Sequence, residues 1–287
     1  MFIIIPSFLF FMKHVDLHVH TLYSDGVDTP NQIVKTARLN GLEMIAIADH
    51  DNLRGYYEAL PHAKSQALDL VPGVEITTIQ HHLLGLNFNP RDEGFVKFIQ
   101  HAQDIQRGVC NQRVEVLRAH GIPIPFDQVQ SAYSHATSGK YSILKTMLSD
   151  RTCRDYLERK HGQLKFDELF KIYLSDSGIA GHVEKRKVVE WGEAIAEIHK
   201  AGGLAIFPHP STKADDPSKV SDMLAGIDGI EVQPQFGEKN TPFRDYAKKE
   251  GLLVVFGSDY HDSAFNSMLR NKGDNLLDEH VFGKIKE

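Results

Sequence analysis

Cysteine is scarce in this chain. Cys110 and Cys153 are the only two in 287 residues. They form no Cys-x-x-Cys and cannot build the disulfide framework of a small secreted domain, so a reducing cytoplasm is the expected setting. Positive charge is also short. The 32 Lys and Arg against 38 Asp and Glu leave a formal net charge of −6, which excludes a broad electrostatic grip on nucleic acid and favours a small substrate or one held at a metal site. Long apolar runs are missing too. Residues 1–11 are apolar apart from Pro6 and Ser7, but a bilayer span needs roughly 20 residues. They also lack the basic leader and small-residue cleavage site of a signal peptide. The fold is expected to begin at Met12-Lys13, with residues 1–11 a start-site artefact or, alternatively, a marginal membrane anchor. No solenoid-period repeat and no low-complexity tract interrupts the chain.

What is present is an alternation of short apolar runs and helical patterns. The runs at 44–48, 70–76, 82–88, 204–208, 227–232 and 252–256, together with one at the start, predict seven strands. Asp28-Thr29-Pro30 predicts a capped helix start and Gly41 its end; Thr241-Pro242 and Gly251 repeat the device. The rhythm breaks between about 95 and 191, where the pattern is mostly helical. The division expected is therefore a first barrel part over 12–94, a helical insertion over the active site at 95–191, a second barrel part over 192–265 and a C-terminal tail at 266–287.

Asp16-Leu17-His18-Val19-His20 is the chemically suggestive start. In a strand, side chains alternate faces, so Val15, Leu17 and Val19 should share one side and Asp16, His18 and His20 the other. Similar pieces close later apolar runs: Ala48-Asp49-His50-Asp51, Gly73-Val74-Glu75, His81-His82-Leu83, Pro208-His209-Pro210 and Gly257-Ser258-Asp259-Tyr260-His261. Active sites of α/β barrels gather at the C-terminal ends of the strands, so these residues should converge there. Nitrogen and oxygen donors without a thiolate suit manganese, zinc or iron.

The ordered set HxHTxxSDG, ADHD, PGVE, HLLGLN, PHP and GSDxH resembles the polymerase and histidinol phosphatase (PHP) superfamily of metal-dependent phosphoesterases. Within it the spacing is most similar to bacterial nucleoside 3′,5′-bisphosphate phosphatases, some of which are also 5′-to-3′ exoribonucleases. The likeness covers about residues 13–265. It implies a distorted seven-stranded β/α (TIM-like) barrel carrying three divalent metal ions, manganese first, with zinc or iron as alternatives. It also implies the ligands. His18, His20, Glu75 and Asp259 would hold one metal, Glu75, His82 and His209 a second, and Asp25, His50 and His261 the third. The match to His-Leu-Leu-Gly-Leu selects His82 over His81, and Asp49 and Asp51 are expected to orient His50.

The nucleophile implied is a metal-held hydroxide, with no covalent Ser or Cys intermediate. Substrate contacts depart from the resemblance: Ser138-Gly139-Lys140 stands where an Arg-Gly-His segment is usual, and Ser211-Thr212-Lys213 where an Arg is usual. Lys140 and Lys213 keep the charge but not the bidentate fork, and they are the candidate phosphate contacts. Lys185, Arg186 and Lys187 read as a solvated face. The expected substrate is a nucleoside bisphosphate or a short RNA 5′ end, with no membrane and no stable protein partner. The alternatives are another small phosphorylated metabolite such as histidinol phosphate, or a metal-binding module without catalysis.

Overall fold

A computed structural model describes residues 13–132, 136–137, 139–163, 165–183, 189–263, 268 and 276–277. Residues 1–11, Ser138, Lys185, Arg186 and Lys187 lie outside the described residues.

In chain order the elements are β1 (Lys13–Val19), α1 (Pro30–Leu39), β2 (Met44–Ile47), α2 (Arg54–Ser65), β3 (Asp69–Thr77) and β4 (His82–Leu86). The helices α3 (Glu93–Ala119), α4 (Phe126–Ala132), α5 (Lys140–Ser149), α6 (Arg151–His161) and α7 (Phe166–Tyr173) follow, with no strand between them among the described residues. The alternation then resumes with α8 (Trp191–Lys200), β5 (Leu204–Phe207), β6 (Gly229–Val232), α9 (Thr241–Glu250), β7 (Leu253–Phe256) and a short β8 (Leu276–Leu277). Local chemistry explains the boundaries. At the start of α1 the Thr29 hydroxyl accepts the Gln32 N–H while the Gln32 side-chain oxygen accepts the Thr29 N–H, and Pro30 occupies the first turn. Gly251 ends α9 with φ 69°, a conformation that only glycine adopts without strain.

One sheet runs β7-β6-β5-β4-β3-β2-β1-β8. Seven strands bend it almost into a barrel, as the resemblance implied. The seam is stitched where His20 N–H donates to the Tyr260 carbonyl at 2.8 Å and Asp259 N–H to the His18 carbonyl at 2.9 Å. All pairings among the seven are parallel except those of β4, which is antiparallel to both β3 and β5. Its reversal has a chemical consequence: β4 presents its first residue, His82, at the face where the parallel strands present their last. The tail strand β8, pairing antiparallel with the start of β1, had no signal in the sequence.

Inside the barrel Val15, Leu17, Met44, Ala46, Leu84, Leu86, Ile206 and Val255 pack together, while Val19 joins Ile45, Ile47 and the inner faces of α1 and α2 outside. The expected alternation along β1 is therefore broken. Pairing with β2 runs Val15–Met44, Asp16–Ile45, then Val19–Ile47, so β1 carries one extra residue, a β-bulge. Leu17 stays in the interior cluster, and His18 and His20 still converge. The helical layer has a separate core, with Val114, Leu117, Ile143, Leu144, Met147, Leu157 and Tyr173 at its centre. The first half of α3 packs on the barrel through Phe95, Phe98, Ile99 and Ala102. No helix among the described residues is long and apolar enough to cross a membrane.

Candidate metal centre

Every strand end at the upper face delivers a ligand-capable group. β1 and the turn after it supply His18, His20 and Asp25; the exit of β2 supplies His50; β3 supplies Glu75; β4 supplies His82. His209 follows β5, and Asp259 and His261 follow β7. Three residues here, Asp51, His209 and Asp259, take positive φ values of 48°, 35° and 56°. Non-glycine residues persist there only when their surroundings hold them, and such strain concentrates at functional sites.

Glu75 is the hub, and it is 1 % exposed. Its Oε2 lies 3.2 Å from His18 Nε2, 3.2 Å from His20 Nε2 and 3.3 Å from His50 Nδ1. Its Oε1 lies 3.2 Å from His82 Nδ1 and 3.4 Å from His209 Nε2. Asp259 Oδ1 approaches His20 Nε2 at 3.2 Å and His18 Nε2 at 3.6 Å. On the other side Asp25 faces His261 Nε2 at 3.1 Å and His50 Nε2 at 3.7 Å. The donor atoms of His18, His20, Glu75 and Asp259 form one tight group, and those of His20, Asp25, His50 and His261 another. His50 also joins Glu75 and His82, while His209 groups with His18 and Glu231.

Glu231 escaped the sequence reading. It is fully buried on β6, its Oε1 2.9 Å from His18 Nδ1 and its Oε2 accepting the His209 N–H at 2.8 Å. The signal was available: a lone carboxylate inside the apolar strand Gly229-Ile230-Glu231-Val232 must find donors. Gly257 makes room for it, since a Cβ there would sit 2.0 Å from Glu231 Oε1 and 2.5 Å from His18 Cβ. Asp16 is a second omission. Its carboxylate accepts the Ser258 N–H at 2.9 Å and the Ser258 hydroxyl at 2.7 Å, anchoring the loop that carries Asp259.

The assignment of Asp49 and Asp51 to orienting His50 needs correction. Asp49 accepts the Thr21 N–H, the Thr21 hydroxyl and the Ser24 hydroxyl, each at 2.7 Å, and so holds the turn between His20 and Asp25. Asp51 accepts the Thr77 N–H at 2.9 Å, tying the exit of β2 to β3. Burial lifts its carboxyl to about 6, against the pull of that hydrogen bond.

The electrostatics are those of imidazoles packed among carboxylates. Burial works against a charged His18, yet Glu231 and Glu75 outweigh it and raise its pKa well above the ordinary value. His20 is likewise carried against burial, by Asp259 and Glu75, up to about 10. His50 goes the other way, down to about 3, because burial dominates. Burial also opposes the charges on Glu75 and Asp25, but the surrounding imidazoles hold both well below the carboxylate range.

Of the adjacent pair it is His82 that faces Glu75. The His81 ring packs edge-on against Phe207 and His209, and burial, with Lys213 nearby, drives its pKa down to about 2. Lys213 is exposed beside these two histidines, and its charge acts on both. Lys140 instead holds Asp176, Nζ to Oδ1 at 2.7 Å. The same helix α5 reaches the centre by another residue, Lys145, whose Nζ donates to the Asp25 carbonyl at 2.8 Å. Tyr141 stands close enough for Asp25 and Asp259 to raise its pKa beyond the effect of burial.

The cluster fits divalent metal. Asp25 Oδ1 and His50 Nδ1 are buried with no hydrogen bond, and His18 Nε2 and His20 Nε2 confront each other at 3.0 Å. Buried polar atoms left in this state ask for a partner. A cation among nitrogen and oxygen donors would satisfy all of them.

Comparison with known proteins agrees. The PHP domain family model matches residues 16–203. A 5′-3′ exoribonuclease of Haemophilus influenzae is 29% identical over 265 residues, covering 87% of this chain and 90% of that protein. A 3′,5′-nucleoside bisphosphate phosphatase of Chromobacterium violaceum is 25% identical over 264 residues, covering 87% and 88%. The fold matches a Bifidobacterium adolescentis protein, assigned as a metal-dependent phosphoesterase, with TM-score 0.73 at 26% identity over 95% of both chains. Barrel, histidine-carboxylate cluster and family match coincide, and the chain belongs to the PHP domain family of metal-dependent phosphoesterases.

Proposed function

We propose that this chain removes the 3′-phosphate of nucleoside 3′,5′-bisphosphates, with short RNA taken from its 5′ end as a further substrate. The observation that carries this reading is Glu75, a buried carboxylate whose two oxygens face five imidazoles. Those oxygens and imidazoles would hold divalent cations. Three metals, manganese first, would be held by His18, His20, Glu75 and Asp259; by Glu75, His82 and His209; and by Asp25, His50 and His261. When bound, such ions make hydroxide available near neutral pH and neutralise the charge of a phosphoryl group.

The chain's own residues do the rest. Glu231 and Asp16 hold the histidine and aspartate rims in place, and Asp49 closes the turn that aims Asp25. Lys213 and Lys140 offer charge for a second phosphate away from the cluster. Cys110 and Cys153 lie buried in the core of the helical layer, so neither serves as a nucleophile, and both free thiols suit a cytoplasmic enzyme. The two relatives named above act on nucleotides or RNA, which favours this substrate class over histidinol phosphate.

The test is a panel with added manganese: adenosine 3′,5′-bisphosphate, adenosine monophosphates, a 5′-phosphorylated oligoribonucleotide, histidinol phosphate and p-nitrophenyl phosphate. The bisphosphate should give the highest kcat/KM. A preference for histidinol phosphate would overturn the substrate, and absence of turnover on every compound would overturn the enzyme.

A further inference from the structure

The turn after β1 carries Asp25, and the barrel holds this turn at several points. Asp49 takes the Thr21 N–H and the hydroxyls of Thr21 and Ser24, Asn52 Nδ2 donates to the Tyr23 carbonyl at 2.9 Å, and the Val27 N–H donates to the His261 carbonyl at 3.0 Å. Gly26 is pressed so close to the chain leaving β1 that a Cβ there would stand 2.7 Å from the His20 carbonyl oxygen. Asp25 itself is the gap in this bracing. Its Oδ1 is buried without a hydrogen bond. Among the described residues, the one hydrogen bond that Asp25 receives comes from the helical layer, from Lys145 Nζ to its carbonyl at 2.8 Å.

Lys145 starts from a fixed base. Its neighbours Ile143, Leu144 and Met147 are fully buried in the core of the helical layer, so α5 cannot shift without disturbing that core. The Lys145 side chain is half-buried and has no carboxylate partner among the described residues; its ammonium serves a backbone carbonyl instead. A hydrogen bond with a charged donor is stronger than a neutral one. A second contact lands on the same turn: the Thr137 N–H, from the segment before α5, donates to the Tyr23 carbonyl at 3.0 Å, and Gln103 on α3 donates to the Thr137 hydroxyl at 3.1 Å.

We propose that Lys145 is a positioning residue for the metal held by Asp25, His50 and His261, so that this site is complete only when α5 is docked on the barrel. The inference rests on the three-metal reading of the centre and adds which of the three depends on the helical layer. The two groups that share Glu75 draw their ligands from barrel strands and the segments that follow them, and their braces, Glu231 and Asp16, also lie on barrel strands. Only the third group has a ligand residue tied down from outside the barrel. Charge makes the proposal decidable. An ammonium beside a cation site repels the cation, so a lysine without a positioning role would weaken metal binding, whereas a positioning lysine must strengthen it. By reciprocity, a metal that fixes Asp25 also steadies α5 against the turn.

The experiment is calorimetric titration of metal-free, full-length protein with manganese, paired with elemental analysis. Lys145→Met keeps most of the stem and deletes the donor. It should weaken one of the three manganese equivalents about tenfold or more and leave the other two in place, while Lys145→Arg, which keeps a charged donor, should recover most of the loss. In an Asp25→Asn background, where the third site is already impaired, Lys145→Met should change manganese affinity little further. Unchanged or tighter binding in Lys145→Met overturns the proposal. So does an equal loss at all three sites, which would mark a general structural defect. A second measurement needs no substitution at Lys145: in the wild type, manganese should slow amide hydrogen exchange in α5 together with that of the turn carrying Asp25. An α5 indifferent to manganese overturns the coupling even if Lys145→Met does not fold. A wild type that binds fewer than three manganese ions counts against the three-metal reading, whereas three ions with a Lys145→Met titration identical to the parent's sinks this inference alone.

Discussion

Glu231→Gln offers a demanding test of how the centre is held. The carboxylate serves two donors at once, His18 Nδ1 at 2.9 Å and the His209 N–H at 2.8 Å. A carboxamide has one oxygen, so one donor must face an NH2 group. Losing a charge-assisted hydrogen bond in a buried site costs about 1.5–3 kcal/mol, roughly ten- to a hundredfold in manganese affinity, the range typical of groups that orient a metal-binding histidine. A second effect has the opposite sign. Glu231 is the foremost group holding a proton on His18, so its loss eases proton competition for the metal at neutral pH. The deficit should therefore be partly masked near pH 7 and larger near pH 9. Calorimetric titration with manganese at both values, together with kcat at limiting metal, measures it. Affinity equal to the parent at both pH values would refute the bracing role.

Removal of Glu75, His18 or Asp259 by alanine should abolish nearly all turnover and lower metal content by elemental analysis, and His82→Ala should do far more damage than His81→Ala; equal losses would show that both histidines bind. Metal-free protein should be most stable near pH 6.5. Above that, the stabilisation from His18 and His20, whose pKa values are raised, is lost progressively toward His20's value of about 10; below it, His50 and His81, lowered to about 3 and about 2, favour the unfolded chain, which binds their protons. Melting temperatures of chelator-treated protein across pH 5–9 would check this, and a monotonic trend would contradict it. Lys213→Ala should lower the kcat/KM ratio of bisphosphate to monophosphate about tenfold or more, with arginine restoring it; an unmoved ratio would remove Lys213 from phosphate recognition.

Much of the barrel was legible because its causes are local. Four-residue apolar runs such as Met44–Ile47 must be buried on both faces, and a capped proline start such as Thr29-Pro30 can only open a helix. The residues that resemble PHP motifs also sit at strand ends, where periodicity alone places them. The bulge in β1 was not legible. Nothing in Asp16-Leu17-His18-Val19 announces one extra residue, because the register depends on what β2 and the segment after β7 offer across the gap.

The sequence by itself determined which chemistry the chain can carry: histidines and carboxylates at the ends of apolar runs, few thiols, and no excess of positive charge. Only the tertiary structure decided who serves whom. Glu231 reaches His18 across 213 residues, Ser258 reaches Asp16 across 242, and Lys140 finds Asp176 rather than open solvent. Such pairings follow from closing the barrel and laying a helical layer beside it. The energy of a buried charge is set by the donors that packing brings within about 3 Å, and no local pattern encodes that distance.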